Sequence, residues 1–174
     1  RSDPGSDGLG YLDAMERSAN DLPTPALLID TATFEANLAA MDAVLPGALL
    51  RPHVKATKST ALARHLADGG HSAFCTATPK EIEGLVAAGL TDDLLLANET
   101  LDTARLGALA DRANICVAVD SDATVDAAAA GAVGSVLVAG NVGVPRCGCD
   151  PAAALGLAAG ARMAGLEVRG AMQF

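Results

Sequence analysis

The 174-residue chain carries a formal charge of −9, from 12 Lys and Arg against 21 Asp and Glu, with no basic run to interrupt it, which argues against a nucleic-acid or anionic-membrane surface. Hydrophobic residues make up 51% and charged residues 19%, with aromatics at 2% and no Trp, the composition of one packed α/β domain with an aliphatic core. No apolar run is long enough to cross a bilayer and no signal-type core opens the chain, so the expectation is a soluble, unexported, cytoplasmic protein.

Residues 1–20 begin polar and glycine-rich and are expected to form a flexible lead, with the folded domain at residues 21–174. Asp21 to Pro25 is a proline-stiffened entry. Ala26 to Asp30 then reads as a strand, and Thr33 as the cap of a helix that runs to about Val44 and is broken by Pro46-Gly47. A second strand is expected from Ala48 to Lys55, and a helix capped by Ser59 or Thr60 that stops at Gly69-Gly70.

From there a βα beat recurs roughly every twenty to thirty residues. Strands are predicted at Ser72–Thr76, Asp93–Ala97, Ile115–Val119, Ser135–Ala139 and Leu166–Gln173. Helices are predicted at Pro79–Ala88, Leu101–Ala110, Ala123–Ala130 and Pro151–Ala164. Fully apolar strands alternating with helices imply parallel strands covered by helices, in an open doubly wound sheet or a (β/α) barrel. No Gly-x-Gly-x-x-Gly or phosphate-loop lysine follows the first strand, which removes the main argument for a nucleotide site in an open sheet. Both arrangements stay compatible with the pattern, and the barrel gains by default: the expectation is an α/β fold, an incomplete TIM-type barrel of parallel strands.

In such a barrel function gathers at the carboxyl ends of strands, where this chain places Lys55, Thr57, Thr76, Thr78, Asn98, Glu99, Asp120, Ser121 and the segment Asn141 to Arg146. A lysine leaving a buried strand can be desolvated into a nucleophile, which makes Lys55 a candidate Schiff-base residue; the alternative is a solvated lysine at a strand mouth. Cys75, Cys116, Cys147 and Cys149 lack paired metal-type spacing and are expected to be reduced thiols.

Four stretches carry a resemblance. They are Leu22-Pro23-Thr24-Pro25-Ala26-Leu27-Leu28-Ile29-Asp30, Arg51-Pro52-His53-Val54-Lys55, Leu94-Leu95-Leu96-Ala97-Asn98-Glu99, and Asn141-Val142-Gly143-Val144-Pro145-Arg146-Cys147-Gly148. In that order they resemble the alanine-racemase-like, fold-type III pyridoxal-phosphate enzymes, in the branch of D-threonine aldolase, 3-hydroxyaspartate aldolase and D-serine dehydratase. The resemblance implies that Lys55 bonds the pyridoxal 5'-phosphate cofactor and that Arg146 approaches its phenolate oxygen, where a planar guanidinium is suited to hold negative charge. Arg51 and His53 alternate with Lys55 on a regular pleat and are candidates to contact the cofactor or the lysine. The alternatives are an ion pair inside the barrel for Arg51 and a satisfied core imidazole for His53.

The chain departs from the family pattern at Ala56 and Thr57, where Thr and His are commoner, at Asn141, where an Asp is commoner, and at Pro145, a frequent glycine. By the resemblance, eight barrel strands and a β-domain with a divalent-metal site make up the whole enzyme, and this chain holds roughly six of the strands and none of the metal ligands. An incomplete barrel has open edges, so the chain is expected to be a fragment or to need a partner, such as a second copy in a homodimer. Three readings remain open: a lyase that cleaves a D-β-hydroxy amino acid to glycine and an aldehyde, with D-serine dehydratase or racemase as variants of it; a carrier of pyridoxal phosphate; and a half-barrel with no ligand.

Overall fold

The computed structural model describes residues 18–144 and 146–174, so the expected flexible lead lies, through Arg17, outside the described residues. The chain divides into two units, Arg1–Leu50 and Arg51–Phe174.

In the first unit a short 3-10 turn at Ala19–Asp21 precedes an extended stretch and helix α1, Thr31–Asp42. The strand expected at Ala26 to Asp30 does not form: among the described residues no other segment pairs with it, and Leu27 and Leu28 are exposed. Apolar content marks a segment that could be a strand, but only a neighbour supplies the ladder of hydrogen bonds. The cap of α1 is Asp30 and not Thr33, because the Asp30 carboxylate accepts from the Thr33 N–H at 2.7 Å and satisfies one of the helix's unpaired donors.

The second unit is a run of βα units. Its elements are α2 (Thr60–Asp68), β1 (Ala73–Thr76), α3 (Pro79–Ala87), β2 (Asp93–Leu96), α4 (Thr103–Ala110), β3 (Ile115–Val119), α5 (Asp122–Ala130), β4 (Ser135–Gly140), α6 (Ala154–Met163) and β5 (Glu167–Gln173). The strands form one parallel sheet in the order β1-β2-β3-β4-β5, each hydrogen-bonded to its sequence neighbour. The expected α/β architecture is present as an open five-stranded parallel sheet, a barrel wall that is not closed among the described residues.

Each helix turns one apolar stripe to the sheet: Ile82, Leu85 and Val86 of α3, Leu106 and Leu109 of α4, Val125 and Ala128 of α5, and Leu157 and Ala161 of α6 are buried. All of β3 is buried, so both of its faces are covered.

The strand expected from Ala48 to Lys55 shrinks to one bridge, between His53 and Cys75. Pro52 accepts from the Cys75 N–H at 2.8 Å and the Val54 N–H donates to the Cys75 carbonyl at 2.9 Å. Pro52 has no N–H to extend the ladder, Gly47–Leu49 is wound into a 3-10 turn, and the chain turns again at Val54.

Curvature is visible in one ion cluster. Asp93, which opens β2, receives Arg169 of β5 in a two-pronged pair at 2.7 and 3.0 Å, and Arg51 at 2.6 Å. In a flat sheet β2 and β5 would lie about 14 Å apart, three strand spacings, beyond the reach of these side chains, so the sheet must curl. The cluster sits at the amino ends of the strands, opposite the end at which Lys55 emerges.

Burial alone would raise the Asp93 carboxyl, but hydrogen bonds and charge from Arg169 and Arg51 outweigh it and hold the group down to about 2. The folded value is below that of an unfolded chain, so the contribution is complete above about pH 4 and is lost as the pH falls towards 2. Asp93→Asn is expected to cost about 1 kcal/mol at pH 7, a figure reduced for the cluster's partial exposure to solvent. Urea unfolding tests this, because the gap between the two proteins should close between pH 4 and pH 2; a gap constant over that range would refute the assignment.

Candidate functional site

At the carboxyl ends of the strands the first component is the turn that carries Lys55. The backbone of residues 52–54 is pinned to β1 by the two Cys75 hydrogen bonds, and the Lys58 N–H closes the far side of the turn on the Val54 carbonyl at 2.8 Å. Between these anchors the Lys55 N–H donates to Nδ1 of His53 at 3.2 Å. Lys58 takes φ 48°, a left-handed conformation unusual for a residue with a side chain, and Ser59 then caps α2. The ammonium of Lys58 pairs with Glu81, whose second oxygen accepts from the Ala77 N–H at 2.7 Å.

The second component is the loop between β4 and α6. Its base is pinched by a parallel bridge of Gly140 with Cys149, in which the Asn141 N–H donates to Cys149 at 2.9 Å and the Cys149 N–H to Ala139 at 2.8 Å. Gly148 closes the pinch at φ 100°, and its N–H donates to the Asp120 carboxylate at 3.1 Å. Asn141 accepts from the Gly143 N–H at 2.9 Å, a side-chain turn that starts the loop. Arg146 projects from it, with Nη2 at 3.5 Å from the Cys147 sulfur.

The two components meet on one ring. Lys55 Nζ lies 6.0 Å and Arg146 Cζ 5.2 Å from the centroid of Phe174, the residue after β5. A shallow cleft beside them is lined by Gly140, Asn141, Val144, Arg146, Cys147 and Phe174. An exposed primary amine and a planar cationic fork, set about one aromatic ring, suit a flat anionic ring with a carbonyl for the amine to attack. The side chains about Phe174 thus have the donor chemistry that the ring of pyridoxal phosphate would need.

Glu99, after β2, adds a carboxylate: one of its oxygens is buried without a hydrogen-bond partner among the described residues. Its charge acts on Arg146, whose positive form is favoured first by the hydrogen bond to Cys147 and more weakly by Glu99.

Of the four residues expected from sequence, Lys55 and Arg146 are brought together and His53 touches the Lys55 backbone. Arg51 is committed to Asp93 at the other end of the strands. Sequence reading missed Phe174, since nothing in its neighbourhood distinguishes a ring that packs in a core from one that faces two cations. It also missed the anchoring task of Asp120, although its position at the end of β3 is the available signal.

Cys75, Cys116, Cys147 and Cys149 are free thiols. Burial pushes the thiols of Cys75 and Cys116 up, away from thiolate. Among the described residues no three His, Cys, Asp or Glu side chains converge as a metal site would need, and no helix is long and apolar enough to cross a membrane.

Residues 29–174 match the family model described as alanine racemase, N-terminal domain. A D-threonine aldolase of Arthrobacter sp. is 41% identical over 151 residues, which is 80% of this chain and 39% of that protein. A D-threo-3-hydroxyaspartate dehydratase of Delftia sp. (strain HT23) is 39% identical over 82 residues, 46% of this chain and 22% of that protein. The crystal structure of D-threonine aldolase from Filomicrobium marinum superposes with a TM-score of 0.79 at 34% identity, covering 88% of this chain and 44% of that one. The chain thus spans less than half the length of each of these relatives.

Proposed function

The chain belongs to the alanine racemase N-terminal-domain family of fold-type III pyridoxal-phosphate enzymes, and from that premise we propose that its carboxyl-end cluster is the lysine-bearing part of a cofactor site in a lyase acting on D-β-hydroxy amino acids. The observation that carries the reading is the meeting of Lys55 and Arg146, from loops far apart in sequence, on the ring of Phe174.

Lys55 would hold the cofactor through its side-chain amine, at the exposed mouth of the barrel wall. Arg146 would bind an anionic oxygen on the ring, held in place by a loop whose base is closed by Gly148 and Asp120. Bound pyridoxal phosphate supplies an electron sink for negative charge that develops at the substrate's Cα. Phe174 walls one side of the cleft and offers its ring to the two cations.

Retro-aldol cleavage to glycine and an aldehyde is favoured over dehydration because the aldolase relative matches 151 residues and the dehydratase relative 82. Asn141, standing where the resembling enzymes commonly carry Asp, is the feature that would alter the reaction, since it removes one negative charge from the Arg146 loop. Incubation with pyridoxal phosphate, borohydride reduction and peptide mapping test the site: a label on Lys55 is expected, and an unlabelled Lys55 sinks the proposal. Glycine released from D-threonine or D-3-hydroxyaspartate by the complete protein identifies the aldolase, whereas ammonia from D-serine identifies the dehydratase.

A further inference from the structure

We propose that His53 is the positioning residue of Lys55: Nδ1 of its imidazole accepts the Lys55 backbone N–H and fixes the turn that presents the Lys55 amine at the site. The consequence for the cofactor rests on the reading above; the lock itself does not.

The geometry is that of a side chain at position i accepting from the N–H of residue i+2, the arrangement by which Asn and Asp make tight turns. The backbone on either side is already fixed, by Cys75 on residues 52–54 and by Val54 on Lys58. The span from Lys55 to Thr57 is exposed and lies between those anchors. The His53 ring is thus the attachment for the one peptide unit from which the Lys55 side chain departs.

Such an acceptor requires a lone pair on Nδ1, so the ring must be neutral with its proton on Nε2. An imidazolium donates from both nitrogens and cannot receive the Lys55 N–H. Desolvation first, and then the charge of Lys55, lower the ring's affinity for a proton; Lys58 acts in the same sense, while Glu81 of α3 and the Cys75 backbone of β1 oppose it. The folded ring therefore titrates below the ordinary histidine value of about 6.5. The unfolded chain binds the extra proton first on acidification, so the stability the lock contributes is complete above about pH 6.5, and the lock itself is lost as the pH falls through the folded ring's lower value.

The test is amide hydrogen exchange at Lys55, followed by NMR as a function of pH together with the His53 ring nitrogens, and it needs neither cofactor nor substitution. Protection of the Lys55 amide, corrected for the intrinsic rate, is expected to fall about fivefold or more as the ring protonates. His53→Asn keeps an acceptor in the same place and is expected to retain protection with no acid loss, while His53→Ala loses protection at every pH. The acid limb of borohydride-trapped labelling of Lys55 should move in parallel, vanishing in the Asn variant. Protection that stays flat through the ring's titration, or that survives in His53→Ala, overturns the proposal. If protection follows the ring but Lys55 takes no label, the lock stands and the cofactor reading is what fails.

Discussion

Lys55→Ala is expected to abolish the reducible pyridoxal-phosphate label and to lower turnover by the complete protein on the order of 10³-fold or more, as loss of a covalent nucleophile commonly does. The chain has three lysines, Lys55, Lys58 and Lys80. Lys58 is paired with Glu81 and Lys80 with Glu83, whereas Lys55 faces the ring of Phe174. Lys55 is thus the lysine whose amine faces an aromatic ring and not a carboxylate, and that geometry singles it out. Lys55→Arg refines the experiment, because it keeps a cation over Phe174 but supplies a guanidinium that does not lose its proton. The Arg variant should therefore fold and unfold like the parent and remain unlabelled. Peptide mapping decides the matter, and a label that moves to Lys58 or Lys80 in the parent protein would remove the reason for assigning Lys55.

Gly148→Ala is the substitution expected to damage the Arg146 loop most. A Cβ at this position would stand 2.7 Å from both the Asn141 nitrogen and the Gly140 carbonyl carbon and 3.0 Å from the Gly140 oxygen, all of them backbone atoms that no side-chain rotation can move aside. The residue also has φ 100°, which a side chain rarely tolerates. Strain and clash together are expected to cost about 2–4 kcal/mol in denaturant unfolding. Opening the pinch also takes the Gly148 N–H from Asp120, so the position of Arg146 is lost along with stability. Two comparisons separate these contributions. Gly143 has φ 115° with open space around its Cβ position, so Gly143→Ala meets only the conformational penalty, about 1 kcal/mol or somewhat more. Gly156 lies in α6 with open space and an ordinary helical backbone, so Gly156→Ala should stabilise by about 0.5–1 kcal/mol. A Gly148→Ala protein as stable as the parent would show that the loop base is not closed as described.

The repeating units are legible in the sequence because both of their signals are local. Ile115-Cys116-Val117-Ala118-Val119 is too short and too β-branched for a buried helix, and it forms β3 over those same residues. Thr78-Pro79, followed by Glu81, marks the start of α3, with the Thr78 hydroxyl on the Glu81 N–H. Where the signal depends on a distant partner it misleads. Ala26 to Asp30 has the apolar content of a strand, but among the described residues nothing pairs with it. Ala48 to Lys55 has the content too, and is reduced to one bridge by Pro52 and the turns on either side.

The candidate site divides along the same line. Sequence alone determines which residues have the chemistry: a lysine at the end of an apolar run, an arginine in a glycine-rich loop, and strands whose carboxyl ends share one face. Those are properties of residue type and order, and they narrow the site to one end of a βα wall. Only the tertiary structure decides which of these residues meet. It sends Arg51 to Asp93 and Arg169 at the amino ends of the strands, where curvature brings β2 and β5 within reach of each other. It turns Lys55 and Arg146 to the same Phe174 ring, and it gives His53 the Lys55 N–H to hold. The reason is physical: a contact between residues far apart in sequence depends on the sum of strand register, sheet curvature and loop closure, and no local stretch of sequence encodes that sum.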